Sequence, residues 1–213
     1  QFIWNAHAPA ARSAGLSNDI VNALRDKKNL PIFLAADGPK MLALGGELAN
    51  GLIVGAGLSG EVIDWVRGRV GEGEALAGRP PGSVPIWVDG IVNFGADREV
   101  VQNATRPRMC TRANHNFRVA YNAVSEEHLD GVKNFRENYN ESDVGFKNKN
   151  AERVTDYLLD RFGIVGTEAD VIGRFEEISD RGVETFLVAM PFILEERFRI
   201  IEFLAKEVIP RVA

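Results

Sequence analysis

One phrase recurs four times after Leu30 and constrains the fold more than any single residue: a short apolar run, a turn of glycine and polar residues, then an amphipathic stretch. Such a repeat predicts βα units in a mainly parallel sheet, because each crossover helix returns the chain to the end from which the next strand starts. The first run, 31–36, is apolar on both faces, as a strand covered on two sides would be. After Asp37-Gly38-Pro39 a helix is expected, with Pro39 suited to its first position and Met41, Leu44 and Leu48 at the spacing of an apolar stripe. The second run, 52–56, leads through Gly57 into a helix opened by Ser59 and carrying Val62, Ile63, Val66 and Val70. Residues 71–82, with four glycines and two prolines, read as a surface connection. The third run, 84–94, alternates Ile86, Val88, Val92 and Phe94 against Trp87, Asp89, Ile91 and Asn93.

Residues 97–150 interrupt this rhythm with a more polar, partly helical insertion, whose stretch 137–150 reads as a mobile loop. A helix is expected at about 152–162. Thr167 caps the next helix, with Asp170 adding a negative charge to its first turn, and Arg181-Gly182 ends it. The fourth strand is expected at 184–190, and the last helix, about 195–209, should bury Phe198, Ile201, Leu204 and Val208. Residues 1–29 read as a lead-in or the remnant of a preceding half, leaving 30–213 as the βα portion.

Several functional classes are disfavoured. With 25 basic and 30 acidic side chains the net charge is −5, so no overall positive field gathers nucleic acid. No run approaches the roughly 18 apolar residues of a membrane span, and no targeting pattern follows Gln1, so a cytoplasmic protein is expected. The single cysteine, Cys110, permits no internal disulfide and no cysteine-based zinc site; it reads as buried filler rather than a reactive thiol. His7, His115 and His128 are isolated and form no metal-binding pattern, and no nucleophile elbow of the G-x-S-x-G type occurs. Four βα units fit either an open doubly wound sheet or half of an eight-stranded barrel. The nucleotide-binding form of the open sheet would need a glycine fingerprint and a later acidic residue that the chain does not supply together.

A resemblance to a known family favours the barrel. Leu30-Pro-Ile-Phe-Leu-Ala-Ala36-Asp-Gly-Pro-Lys40, continued through Gly45-Gly46 to Val54, resembles the fifth strand, helix and sixth strand of the luciferase-like monooxygenase family. Within that family it is similar to the branch of the F420-dependent methylenetetrahydromethanopterin reductases. Phe162-Gly-Ile-Val-Gly-Thr167-Glu-Ala-Asp170, continued to Val188, resembles the closing helix and eighth strand, and Thr111-Arg-Ala-Asn-His-Asn-Phe-Arg118 resembles an insertion of some members. The resemblance implies an α/β chain forming the second, carboxyl-terminal half of a TIM (β/α)8 barrel. It also implies an oxidoreductase that transfers hydride at bound F420 or FMN and acts on a small molecule. The half expected to precede it is absent from the 213 residues, so a homo-oligomer or a complementing amino-terminal half-barrel is the expected partner.

In a βα barrel the loops after the strands carry the site, which directs attention to 36–40, 55–60, the insertion after Asn93, and 189–193. Ala36, Asp37, Gly38, Pro39 and Lys40 combine a turn of small residues with a helix N-terminus, where exposed amides can meet an anion; the family places the cofactor there, near its phosphate. The plainer reading is a helix start that needs glycine only to turn. Lys40 can pair with phosphate or point to water. Gly55 and Gly57 admit a ring or backbone closely, or simply make a tight turn. Asn93 lies nearer the active end than Asp89 if their shared parity faces inward, with a structural hydrogen bond the more ordinary use of Asp89. Arg112 and His115 sit a helical turn apart and could meet an anionic substrate or cofactor tail, or be a solvated face. No catalytic acid or base is nominated. The alternative function is a non-catalytic α/β module that dimerises or binds a partner through exposed sheet edges.

Overall fold

The computed structural model describes residues 31–191 and 193–212; the lead-in, with His7 and Leu30, lies outside the described residues. Five strands form one sheet: β1 (Phe33–Ala35), β2 (Gly51–Val54), β3 (Ile86–Phe94), β4 (Gly163–Gly166) and β5 (Thr185–Ala189). Every pairing is parallel. Ile91 pairs with Gly163 of β4 and with Ala189 of β5, so these two strands lie on opposite edges of β3. Trp87 and Val88 likewise pair with both β2 and β5. Hence β2 and β4 share one edge of β3, β4 taking over beyond the end of β2, and the sheet runs β1-β2-β3-β5 with β4 as an extra short segment. The four runs anticipated as strands are those four. The fifth, β4, lies between the helix expected to end near 162 and the cap at Thr167, where the sequence reading placed no strand.

The helices are α1 (Pro39–Leu48), α2 (Gly60–Leu76), α3 (Arg98–Phe117), α4 (Glu126–Glu137), α5 (Asp156–Phe162), α6 (Glu168–Asp180), α7 (Leu194–Phe203) and α8 (Ile209–Val212). A 3-10 turn at Lys149–Arg153 precedes α5, and a π-helical turn at Leu204–Val208 joins α7 to α8. The break before α5 replaces the continuous helix expected from about 152, because the Thr155 hydroxyl caps a new start by accepting the Leu158 amide at 3.3 Å. Thr167 and Asp170 form the full capping box of α6, and Gly182, at φ +74°, supplies the left-handed residue that lets the chain turn into β5.

Two apolar clusters flank the sheet. Ala36, Leu52, Val54, Ile86, Val88, Val92 and Phe94 point to the cluster shared with α2, α6 and the carboxyl-terminal helices. Ile91 points the other way, into a cluster built with Met109, Cys110, Ala113 and Phe117 of α3, Val132 and Phe135 of α4, and Leu158, Leu159 and Phe162 of α5. The insertion therefore forms a second core and is not an appendage. Burial pushes the Cys110 thiol up to about 11, consistent with the filler role read from sequence.

Three expectations about faces and loops are corrected. Met41, Leu44 and Leu48 of α1 are exposed; the helix instead buries Leu42, Gly45 and Gly46, Gly45 over Leu52 of β2 and Gly46 against α2, where a side chain on Gly46 would strike the Val70 carbonyl and one on Gly73 the Ala43 carbonyl. Phe198 and Ile201 of α7 are 63% and 48% exposed, whereas Ile200, Phe203, Leu204 and Val208 are buried. The connection expected over 71–82 is helical to Leu76. Beyond that residue the chain is fastened by the buried Glu74 carboxylate, which accepts the amides of Gly82 and Val84, both at 2.8 Å.

Candidate functional site

A cleft of about 870 Å³ opens at the carboxyl ends of the strands. Its floor comes from the strand face opposite the main core: Ala35 of β1, Ile53 of β2 with Gly55 beyond it, Asp89 and Ile91 of β3, and Ala189 of β5. Its wall is one stripe of α3, on which Arg108, Thr111, Arg112, His115 and Asn116 recur at helical spacing. Gly145 and Phe146, from the loop after α4, complete the rim.

Polar groups meet around Gly55. The Gly55 amide donates to Asp37 Oδ1 at 2.6 Å, and the Asn116 amide nitrogen donates to the Gly55 carbonyl at 3.4 Å. Arg112 forks onto Asp89, Nη1 to Oδ1 at 2.8 Å and Nη2 to Oδ2, pinning α3 to the sheet. The position a Gly55 side chain would take lies 2.9 Å from Asp89 Oδ1, 3.2 Å from Arg112 Nη1 and 3.5 Å from Asp37 Oδ1, so a side chain there would press on the Asp89–Arg112 fork. Burial raises the pKa of the Asp37 carboxyl above its ordinary value and nearby Asp89 adds to that, while the Gly55 amide, His115 and Arg112 pull it back. The Asp89 hydrogen bond holds Arg112 charged, against its own burial.

Of the residues singled out from sequence, the structure brings Ala36, Asp37, Gly55, Arg112 and His115 together in the cleft. Gly38, Pro39 and Lys40 open α1 beside it, with Pro39 and Lys40 exposed. The Gly38 cap has no side-chain hydrogen bond, the first turn has no acidic residue, and nothing stands within 4 Å of where a Gly38 side chain would go. Gly57, at φ +143°, packs on Arg161 instead of facing the cleft. Asn93 also lies outside it, donating to the Thr105 hydroxyl at 3.0 Å and accepting the Phe94 amide at 3.0 Å. Asp89 both makes a structural bond and lines the cleft.

Arg108, Thr111, Asn116 and Phe146 were not singled out; the first three could have been found by extending the Arg112 and His115 spacing along one helix face. Arg161 was missed because nothing in sequence marks it. It is 1% exposed, its Nε donates to the Ala56 carbonyl at 3.0 Å and its Nη2 to the Asn122 carbonyl at 2.9 Å, and its Nη1 reaches the Ala123 carbonyl and, at 2.6 Å, the Tyr157 hydroxyl. It thus fixes the turn beneath the cleft's edge. Among the described residues no group of three metal-ligating side chains occurs, and no helix is long and apolar enough to cross a membrane.

A parallel βα sheet with a mixed polar and apolar cleft at the carboxyl ends of its strands defines an α/β protein of the kind that binds small molecules at that end. The profile of the luciferase-like monooxygenases matches residues 7–185, and the chain belongs to that family. It is similar to the 5,10-methylenetetrahydromethanopterin reductase of Archaeoglobus fulgidus, 28% identical over 187 residues, a match covering 86% of this chain and 55% of that protein. Its fold matches the F420-dependent tetrahydromethanopterin reductase of Methanopyrus kandleri with a TM-score of 0.68 at 24% identity, over 86% of this chain and 51% of that one. It also matches an F420-dependent secondary alcohol dehydrogenase, solved with an F420-acetone adduct, with a TM-score of 0.57 at 18% identity, over 88% of this chain and 50% of that one. The chain spans about half the length of the relatives it matches.

Proposed function

We propose that this chain is part of an oxidoreductase that transfers hydride at bound F420 or FMN, with a small molecule as its substrate. The observation that carries the reading is the cleft at the strand ends, lined by Ala36 and Asp37 of the turn that opens α1 and by the Asp89–Arg112 fork. The residues present fit such a cofactor: the uncapped start of α1, with no acidic side chain in its first turn and open space over Gly38, offers backbone amides to a phosphate. Ala36, Asp37, Gly38, Pro39, Lys40 and Gly55 would hold the group, and Arg112 and His115 would face an anionic portion of cofactor or substrate.

The cofactor, when bound, supplies the redox chemistry. The chain's own residues orient and shield. Asp37 fixes the Gly55 turn, the fork sets the distance of α3 from the sheet, and Ile53, Ile91 and Ala189 keep water from the cleft floor. Gly57 and Asn93 act beneath the site, through Arg161 and Thr105. The partner reading, a second copy or a complementing half-barrel, is supported by β1 and β5, each of which pairs along one edge only among the described residues. The non-catalytic alternative draws on the same observation.

Titration with FMN and with F420, followed by ring fluorescence, tests the reading. Binding of either one is expected, and Gly38→Val should weaken it with the fold intact, since the added side chain enters open space. Failure to bind both, even with an amino-terminal half-barrel supplied, overturns the enzyme reading; unchanged affinity in Gly38→Val overturns the placement of the phosphate.

A further inference from the structure

The stretch 137–150, expected from composition to move freely, is tied at nearly every turn. Asn150, 2% exposed, accepts the Asn140 amide at 2.9 Å and donates to the carbonyls of Asn140 at 3.0 Å and Asp143 at 2.8 Å. The buried Asn148 donates to the Gly145 and Pro107 carbonyls and accepts the Ala151 amide at 3.1 Å. Asp143 accepts the Lys149 amide at 2.7 Å. Buried asparagines that satisfy backbone groups in this way fix a loop without regular structure. At its tip Gly145 takes φ +102°, a conformation that other residues rarely adopt, and the next residue, Phe146, stands 59% exposed at the rim of the cleft.

The braced loop thus holds the Phe146 ring, more than half exposed, in a fixed place at the edge of the cleft. The cleft it borders combines apolar surface, from Phe146, Pro107, Ile53 and Ile91, with the hydrogen-bonding groups of Asp37, Asp89, Arg112 and Asn116. That combination suits a planar heterocycle, whose faces are apolar and whose edges carry donors and acceptors. We propose that Phe146 is a ring-binding residue, stacking on the face of a conjugated heterocycle in the cleft. This rests on the reading of the cleft as a cofactor and substrate site, and it adds the residue that would select for a flat ring. The ring belongs either to the deazaflavin or flavin, or to a substrate of pterin type.

The test compares wild type, F146A, F146L and F146Y by fluorescence titration with F420 and FMN, and with a reduced pterin added to the cofactor-saturated chain. Melting temperatures of the four proteins, measured alongside, separate an effect on ring binding from one on folding. F146A is expected to raise Kd by about five- to tenfold. F146Y should restore the wild-type value and F146L should not. An effect confined to F420 or FMN assigns the stacked ring to the cofactor, and one confined to the pterin assigns it to the substrate; both uphold the proposal. Wild type that binds a ring with an affinity unchanged in F146A or in F146L overturns the stacking role alone. Wild type that binds none of the three, even with an amino-terminal half-barrel supplied, overturns the functional reading and this proposal together.

Discussion

Gly55 and Gly38 are both glycines of strand-to-helix turns, yet their surroundings predict opposite tolerances. A methyl group on Gly55 would press into the Asp89–Arg112 fork, so Gly55→Ala should lose about 1–2 kcal/mol in urea denaturation, while Gly38→Ala should stay within about 0.5 kcal/mol. Equal losses would mean that the fork yields freely and does not position α3. Asp37 gives a second residue-level prediction. Its carboxyl is raised in the folded chain, so it contributes most to stability below its unfolded pKa, and that contribution is lost as pH rises through the folded value. Asp37→Asn keeps an oxygen for the Gly55 amide and removes the ionisation. Its stability relative to wild type should therefore increase as pH rises from about 4, the ordinary aspartate value. A difference that stays flat or shrinks with pH in paired urea titrations would show that Asp37 is not held against ionisation by burial. Much of this site was legible in the sequence, because Asp37, Gly55, Arg112 and His115 lie in turns and an insertion that the βα rhythm marks out. Phe146 and Arg161 were not, since a lone aromatic in a polar loop and an arginine late in a helix carry no local signature of a cleft rim or a carbonyl cage.

At the scale of elements, helix packing decides where propensity would mislead. Gly71 and Gly73 sit in the same helix, α2, and on intrinsic preference each would gain up to about 1 kcal/mol from alanine. Gly71 has nothing within 4 Å of its would-be side chain, so Gly71→Ala should be neutral or stabilising. Gly73 faces the Ala43 carbonyl and the Glu47 amide of α1, so Gly73→Ala should cost about 2 kcal/mol or more despite its propensity gain. Thermal or urea unfolding of the two variants, side by side, checks the sign; a stabilising Gly73→Ala would deny the close approach of the two backbones. The same contact explains the misread face of α1. Apolar spacing marks Met41, Leu44 and Leu48, but two glycines let α2 approach on the neighbouring face, and no pattern of apolar residues displays a contact made by missing side chains. β4 escaped notice for a related reason: four residues bounded by glycines are too few for alternation to register.

For the described part of the molecule, the sheet faces its main core with alternate residues and leaves the others, Phe33, Ala35, Ile53, Trp87 and Asp89, on the side of the cleft. Phe33 and Trp87 contact each other there, ring centroids 4.7 Å apart, and both remain partly exposed, next to the β1 edge that pairs with β2 on one side. Apolar surface beside a strand edge is the ordinary starting point for association through that edge. Sedimentation velocity between about 1 and 100 µM, the range in which a weak dimer of roughly 6–8 kcal/mol declares itself, should show the sedimentation coefficient rising with concentration. Ala35→Lys, which places a charge on the exposed position of β1, should hold the chain as a monomer over that range while moving its unfolding free energy by no more than about 0.5 kcal/mol. A wild-type chain that remains monomeric throughout would remove the edge as a site of self-association. Association that persists in Ala35→Lys would instead move the contact to another surface, with the exposed Leu48 and Phe198 on the outer helices the next positions to charge.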